Sequence, residues 1–268
     1  MFGLKNRIIT TFGCVLFVAG GYMTFNYVRR TLESKDIENN VQKIIQETTD
    51  KKKDQPPPTQ TTQNTVEAAE PVHEITREGY NRLKAEYPLV CGYMAYDDGF
   101  IAEPIAQAGD NSYFLRKNLT GQYSETGTVF MDADCDQNSQ NITLYGHNVY
   151  YDATSKFSPL GSLVNQWEYD RHNTFRIWYD DKVVTYGISY VVYLDRNKQS
   201  FSYARSEYTE DEYEERIAWL DANQKIRARN EYRLESSEDR TVTLQTCVKW
   251  SKNLIELVIA KEIAVKAY

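Results

Sequence analysis

Residues 240–247 read RTVTLQTC, and residues 141–148 read NITLYGHN. Each is a β-branched and aromatic run of strand length that ends on a chemically competent side chain, Cys247 in one and His147 in the other. In the first run Val242, Leu244 and Thr246 fall on one face of a strand, and Thr243, Gln245 and Cys247 on the other. In the second, Gly146 gives the chain freedom to leave the strand just before the histidine. A cysteine at a strand end among polar neighbours is placed to reach a surface groove, although free cysteine is also among the most buried residue types. A thiolate with an imidazole nearby is a recurrent arrangement for covalent catalysis, the sulfur attacking and the ring moving the proton.

Around these runs the sequence is mostly β. Strand patterns cover 127–132, 174–179, 182–194 and 253–263, with YDDKVV (179–184) as a hairpin turn. Two helices stand out. HEITREGYNRLKAEYP (73–88) has Thr76 as N-cap, Ile75 and Tyr80 at staple positions, and a stop before Pro88. TEDEYEERIAWLDANQKIRA (209–228) opens with the capping box Thr209–Glu212 and places Tyr213, Ile217 and Leu220 on one face. The expected fold is mainly β, a barrel or a sandwich, with an N-terminal helix and a helix inserted between late strands.

The 268 residues divide by composition into three parts. In residues 1–30 the run Ile8–Val28 carries no charge over 21 positions, with Lys5, Arg7, Arg29 and Arg30 at its flanks. A bilayer needs about 20 such residues, so the run reads as an uncleaved membrane signal anchor, a cleaved signal peptide being the alternative. Residues 31–73 read as a disordered stalk, with a short helix at its start, then KKKDQPPPTQTTQNTVEAAEP, too polar to bury a core. Residues 74–268 form the folded domain. The net charge of −7 and pI of about 5.2 give no basic footprint for nucleic acid.

Four cysteines are present, and setting Cys14 in the apolar run aside leaves an odd number, so at least one is free or pairs between chains. Cys91 and Cys135 can join in an oxidising compartment, which the sequence leaves open. Three histidines and no C-x-x-C give no zinc pattern, and no acidic loop suggests calcium, so no metal or other cofactor is expected. His73 lies in the linker and His172 in a turn or cap.

TLQTC and LYGHN resemble the cysteine and histidine motifs of the sortases. DNSYFLRKNLTGQYSETGTVFMD with NITLYGHNVYYDATSKFSPL is similar to the central strands of class B sortases, as is the helix at 209–228. The resemblance implies a closed sortase-type β-barrel and a cysteine transpeptidase with Cys247 and His147 as catalytic pair. It would cut a C-terminal sorting motif of secreted proteins through a Cys247 thioester and pass them to an amine of peptidoglycan or its precursor. It also implies single-pass anchoring in the cell membrane, the catalytic domain facing the cell wall, and substrate contacts from Asn111, Leu115, Gln245 and Thr246. One position departs from the pattern. The family carries an arginine on the strand after the cysteine, and here Ile255 stands there, with no arginine beyond Arg240. Lys249, Lys252 and Arg240 are the candidate substitutes. A non-catalytic peptide-binding protein of the same fold, or a Cys–His peptidase, is the alternative function.

Overall fold

The computed structural model describes residues 2–53, 74–198 and 203–267; side chains of 2–19 and a few others in the first helix lie outside the description. Eight strands close into a barrel: β1 (Val90–Ala95), β2 (Ala102–Ala106), β3 (Phe130–Met131), β4 (Asn141–Tyr145), β5 (Thr174–Trp178), β6 (Lys182–Asp195), β7 (Thr241–Cys247) and β8 (Leu254–Ala267). Around the barrel they run β1-β2-β3-β4-β7-β8-β6-β5, with β5 closing on β1. Most neighbours are antiparallel. The β2–β3 contact and the β4–β7 pair are parallel.

The strands expected from the β-branched runs are present with small changes of boundary, except that the run 127–132 keeps only the two residues of β3, while β1 and β2 carry no such pattern. Cys91–Gly92 interrupts β1, and β2 has Pro104 opposite Tyr93. Glycine and proline both weaken a strand reading from sequence. Here the barrel supplies partners on both sides of β1.

Two apolar layers follow from the strand alternation. Met94, Ile105, Leu144, Phe175, Ile177, Ile188, Val242, Leu244 and Val258 are among the side chains that fill the barrel interior. Outside it, Tyr190, Val192 and Leu194 of β6 and Ile255, Leu257 and Ile259 of β8 form a second cluster with Tyr213 and Leu220 of α4 (Glu210–Asn223). The α4 capping box forms as read, Thr209 and Glu212 satisfying each other's backbone N–H. The helix is shorter than its sequence pattern because Gln224 turns extended and the Lys225 N–H bonds the Val191 carbonyl beside β6. Its buried face also differs: Tyr213, Arg216 and Leu220 are buried, and Ile217 only partly so.

At the N-terminal side, α2 (Arg77–Glu86) begins at Thr76, whose hydroxyl accepts the Gly79 N–H at 3.1 Å. Ile75 and Tyr80 are both buried, as a staple requires. The helix α1 runs Phe2–Lys53, so residues 31–53, which composition assigns to the stalk, are helical. Val41, Ile44, Ile45 and Thr48 repeat at helical spacing and are buried, and Arg82 of α2 pairs with Glu47 at 3.1 Å. Residues 54–73 of the stalk lie outside the described residues. No described helix is long and apolar enough to cross a membrane. Most side chains of the run 8–28 lie outside the description.

Ile255 is wholly buried in the outer layer, between Leu194 of β6 and Cys247 of β7 in the pairing. An arginine at that position would bring an unpaired cation into packed hydrocarbon. Ile255→Arg is therefore expected to cost about 4 kcal/mol or more of unfolding free energy, read by denaturant titration.

Candidate active site

The parallel register of β4 and β7 sets the geometry. Tyr145 lies opposite Gln245, and the Gly146 N–H continues the ladder to the Gln245 carbonyl at 3.1 Å. Two residues beyond the Tyr145–Gln245 pair the chains reach His147 and Cys247, and strand alternation continued past the pair assigns them to the face shared by Tyr145 and Gln245. Two side chains stitch the chain leaving β4 to the end of β7. The Thr246 hydroxyl donates to the Gly146 carbonyl at 2.8 Å, and Asn148 Nδ2 donates to the Cys247 carbonyl at 2.9 Å. Gly146 is needed for space, since a Cβ there would lie 2.5 Å from the Phe157 ring. Its φ is not in the left-handed region, so the freedom anticipated from sequence is not what the turn uses.

His147 is fixed from the opposite side. Its Nε2 is 2.8 Å from the Leu115 carbonyl oxygen. A carbonyl only accepts, so Nε2 carries the hydrogen and Nδ1 of the neutral ring is left as the acceptor. Burial lowers the pKa of His147; the Leu115 bond opposes the shift, and the positive charge of Arg116 adds to it. The Leu115 carbonyl passes close over Gly127, which has φ +59 and where a Cβ would fall 2.7 Å from that oxygen. Only glycine fits both conditions.

Along the outer face of β7 exposure rises from one end to the other. Thr241 and Thr243 are buried under α4, Gln245 is half-buried, and Cys247 is exposed. Gln245 turns a buried, unpartnered Oε1 toward this region. Asn111 and Leu115 reach the site in different ways. Asn111 uses its Nδ2 on Asp132 Oδ2 at 2.9 Å and accepts the Ala133 N–H at 2.7 Å, while Tyr145 donates to the same Asp132 oxygen at 2.5 Å. Leu115 keeps an exposed side chain, and its carbonyl bonds the histidine.

The candidate cations separate clearly. Arg240 sits at the opposite end of β7, bonded to the Gln137 carbonyl and 3.6 Å from Glu262. Lys249 and Lys252 stand exposed on the β7–β8 turn. The cation in contact with the sulfur is Arg196, which sequence reading did not single out. Its Nη2 is 3.7 Å from Cys247 Sγ. It follows β6, and its N–H bonds the Asn253 carbonyl at 2.9 Å, extending the β6–β8 ladder by one step. Within DRNKQS (195–200) an arginine looks like a solvated turn residue, so only the strand order reveals it.

The remaining thiols and His172 lie elsewhere. Cys91 and Cys135 are free, each donating to a carbonyl at 3.5 Å, of Ile105 and Asn141 respectively. Burial pushes the Cys91 thiol up to about 12 and that of Cys135 to about 11, so both stay protonated at neutral pH. His172 is the C-cap of α3 (Gln166–Arg171), stacked on Phe100 and 2.8 Å from Asp98. Among the described residues no cluster of His, Cys, Asp and Glu could hold a metal.

A cysteine and a histidine at the ends of parallel neighbouring strands of a closed eight-stranded barrel, with a helix between β6 and β7, define the sortase type of fold. Comparison with solved structures bears this out. The Staphylococcus aureus sortase B–substrate complex superposes with a TM-score of 0.67 at 18% identity, covering 87% of this chain and 98% of that one. Clostridium perfringens sortase B gives 0.62 at 24% identity over 69% and 100% of the two chains. Bacillus anthracis sortase B in complex with AAEK1 gives 0.58 at 21% identity over 69% and 84%. The fold is thus that of the class B sortases. No protein-family model and no curated protein matches the sequence.

Glu256 lies on the other face of β8, opposite Thr246, and is almost fully buried with Oε1 unpartnered. A Cβ added at Gly161 would be 3.7 Å from both Glu256 Oε2 and Asn148 Nδ2, so both side chains line the space beside Gly161. Burial raises its pKa from 4.5 to about 7. Between those values the folded protein keeps a proton that the unfolded chain has released. Stability from this group is present below pH 4.5 and lost as pH rises through 7, by about 3 kcal/mol in all. Unfolding free energies at pH 5 and pH 8 should show that loss in the wild type relative to Glu256→Gln, which has no proton to lose.

Proposed function

We propose that the protein is a sortase B-like cysteine transpeptidase. The observation that supports the reading is the parallel β4–β7 register, which pairs Tyr145 with Gln245 two residues before His147 and Cys247, at the exposed end of β7. The Cys247 thiolate attacks the carbonyl carbon of a peptide bond in a C-terminal sorting motif of a secreted protein. A C–S bond forms, the C–N bond breaks, and the leaving amine takes its proton from the His147 imidazolium. An amine of peptidoglycan or its precursor then attacks the thioester, gives a proton to the imidazole, and releases Cys247 as the thiolate. Because Nε2 is occupied by the Leu115 carbonyl, Nδ1 is the nitrogen that exchanges the proton with substrate. Asn111, Leu115, Gln245 and Thr246 border the acyl-binding side, Gln245 through its unpartnered amide oxygen and Thr246 by holding the Gly146 turn. The uncharged run 8–28 supports tethering at a membrane, with the barrel on the cell-wall side.

Full-length protein in detergent, incubated with a panel of sorting-motif peptides, is expected to gain a mass adduct at Cys247 that an added amine removes as a peptide–amine product. Cys247→Ala and His147→Ala should abolish the adduct with little change in melting temperature. Release of acid alone, regardless of added amine, would identify a peptidase instead. A folded protein that binds the peptides without an adduct would identify a binding protein.

A further inference from the structure

The cation beside Cys247 comes from a strand that is not its neighbour. In the order β4-β7-β8-β6, two strand spacings, about 10 Å, separate β7 from β6. Arg196 lies one residue beyond the end of β6 and Cys247 at the last position of β7, so two side chains leaning toward each other close that gap over the end of β8. The main chain fixes the arginine through its N–H to Asn253, directly after the Asp195–Leu254 pair.

Three features distinguish this arginine from a solvated surface charge. Among the described residues it has no carboxylate partner, although the chain has 38 acidic residues against 31 basic ones. Its neighbour Asp195 spends Oδ1 on the Asn197 N–H. And its guanidinium bonds an exposed thiol, with Tyr203 the other described side chain that feels its charge. The outer face of β8 cannot supply a charge, because Ile255, Leu257 and Ile259 are the floor of the packed layer under α4.

We propose that Arg196 is the catalytic cation of this site, donating to the acyl oxygen that becomes negative when Cys247 attacks. The inference rests on the acyl-transfer reading above. In the tetrahedral adduct the oxygen is bonded to the carbon that Sγ has just joined, so a donor 3.7 Å from Sγ is within reach of it. The charge forms at attack and disappears when the C–N bond breaks, so the contact is strongest in the transition state. Removing a donor of this kind lowers the rate about 10²–10³-fold.

The test uses full-length protein in detergent and two electrophiles that need no sorting motif. p-Nitrophenyl acetate acylates a thiol through a tetrahedral oxyanion. Iodoacetamide alkylates it by direct displacement and forms none. Cys247→Ala supplies the background from other thiols. Arg196→Ala is expected to slow acylation of Cys247 about 100-fold while alkylation at the same pH changes less than about threefold, and Arg196→Lys should recover part of the loss. Arg196 is exposed, so both variants should melt with the wild type. Equal acylation in wild type and Arg196→Ala would overturn the inference and leave the transpeptidase reading standing. An equal fall in both reactions would overturn the oxyanion role and assign Arg196 to the thiol itself. A wild type that is alkylated but never acylated would overturn both.

Discussion

The parallel pairing of β4 with β7 is the constraint on which the site depends. Side chains alternate with a period of two, so a slip of one residue between these strands would send His147 and Cys247 to opposite faces. The register is held at the other end of the pair by a buried polar cluster. Asn141 Oδ1 accepts from Thr241 Oγ1 at 2.9 Å, Thr243 Oγ1 at 2.8 Å and Arg216 Nη2 at 3.1 Å. Arg216 also bonds the two threonine hydroxyls and lies over the rings of Tyr208 and Tyr213. A buried guanidinium with no carboxylate partner among the described residues is costly unless its N–H groups are hydrogen-bonded, and the alignment of Asn141 with Thr241 and Thr243 supplies three acceptors. The same arginine anchors α4 on the strand pair, so the inserted helix and the β4–β7 register are specified together.

Much of this was legible in the sequence because it rests on local chemistry. Capping residues Thr76 and Thr209, the long β-branched runs of β6 and β8, and the strand-end positions of Cys247 and His147 follow from short-range rules. What was not legible depends on distant partners. β1 and β2 contain Gly92 and Pro104 and become strands through their neighbours. Arg216 breaks the apolar pattern of α4 because its partners lie 25 and 75 residues away along the chain. The buried face Val41–Ile44–Ile45–Thr48 sits in a segment whose overall composition is polar. Gly146 was read for its conformational freedom and serves as room for Phe157.

Arg196 shows the limit most plainly. Looking for a cation on the strand after Cys247 assumes that the neighbour in sequence and in the sheet presents its outer face to the substrate. Here that face is already committed: Ile255, Leu257 and Ile259 pair across to β6 and support α4. Filling it with apolar side chains excludes a charge from the floor of the site and leaves only the rim, where strands end and hydrogen-bonding demands relax. Two of the proposed groups enter from such ends, His147 beyond β4 and Arg196 beyond β6, the latter reaching Cys247 on the end of β7.

The two are held with different firmness, and the difference suits the roles proposed for them. His147 is bracketed by the Gly146–Gln245, Thr246–Gly146 and Asn148–Cys247 bonds and by Leu115 at its own ring. That fixes the ring with Nε2 on the Leu115 carbonyl and leaves Nδ1 as the open nitrogen, as the proposed proton transfer requires. Arg196 is held by a single main-chain bond at the edge of its ladder, with an exposed side chain. A guanidinium offers several donors, so it can meet an oxygen that moves as a planar carbonyl becomes tetrahedral without needing one rigid position. Burial completes the division among the thiols, keeping Cys91 and Cys135 protonated inside the barrel while Cys247 is exposed beside the Arg196 guanidinium.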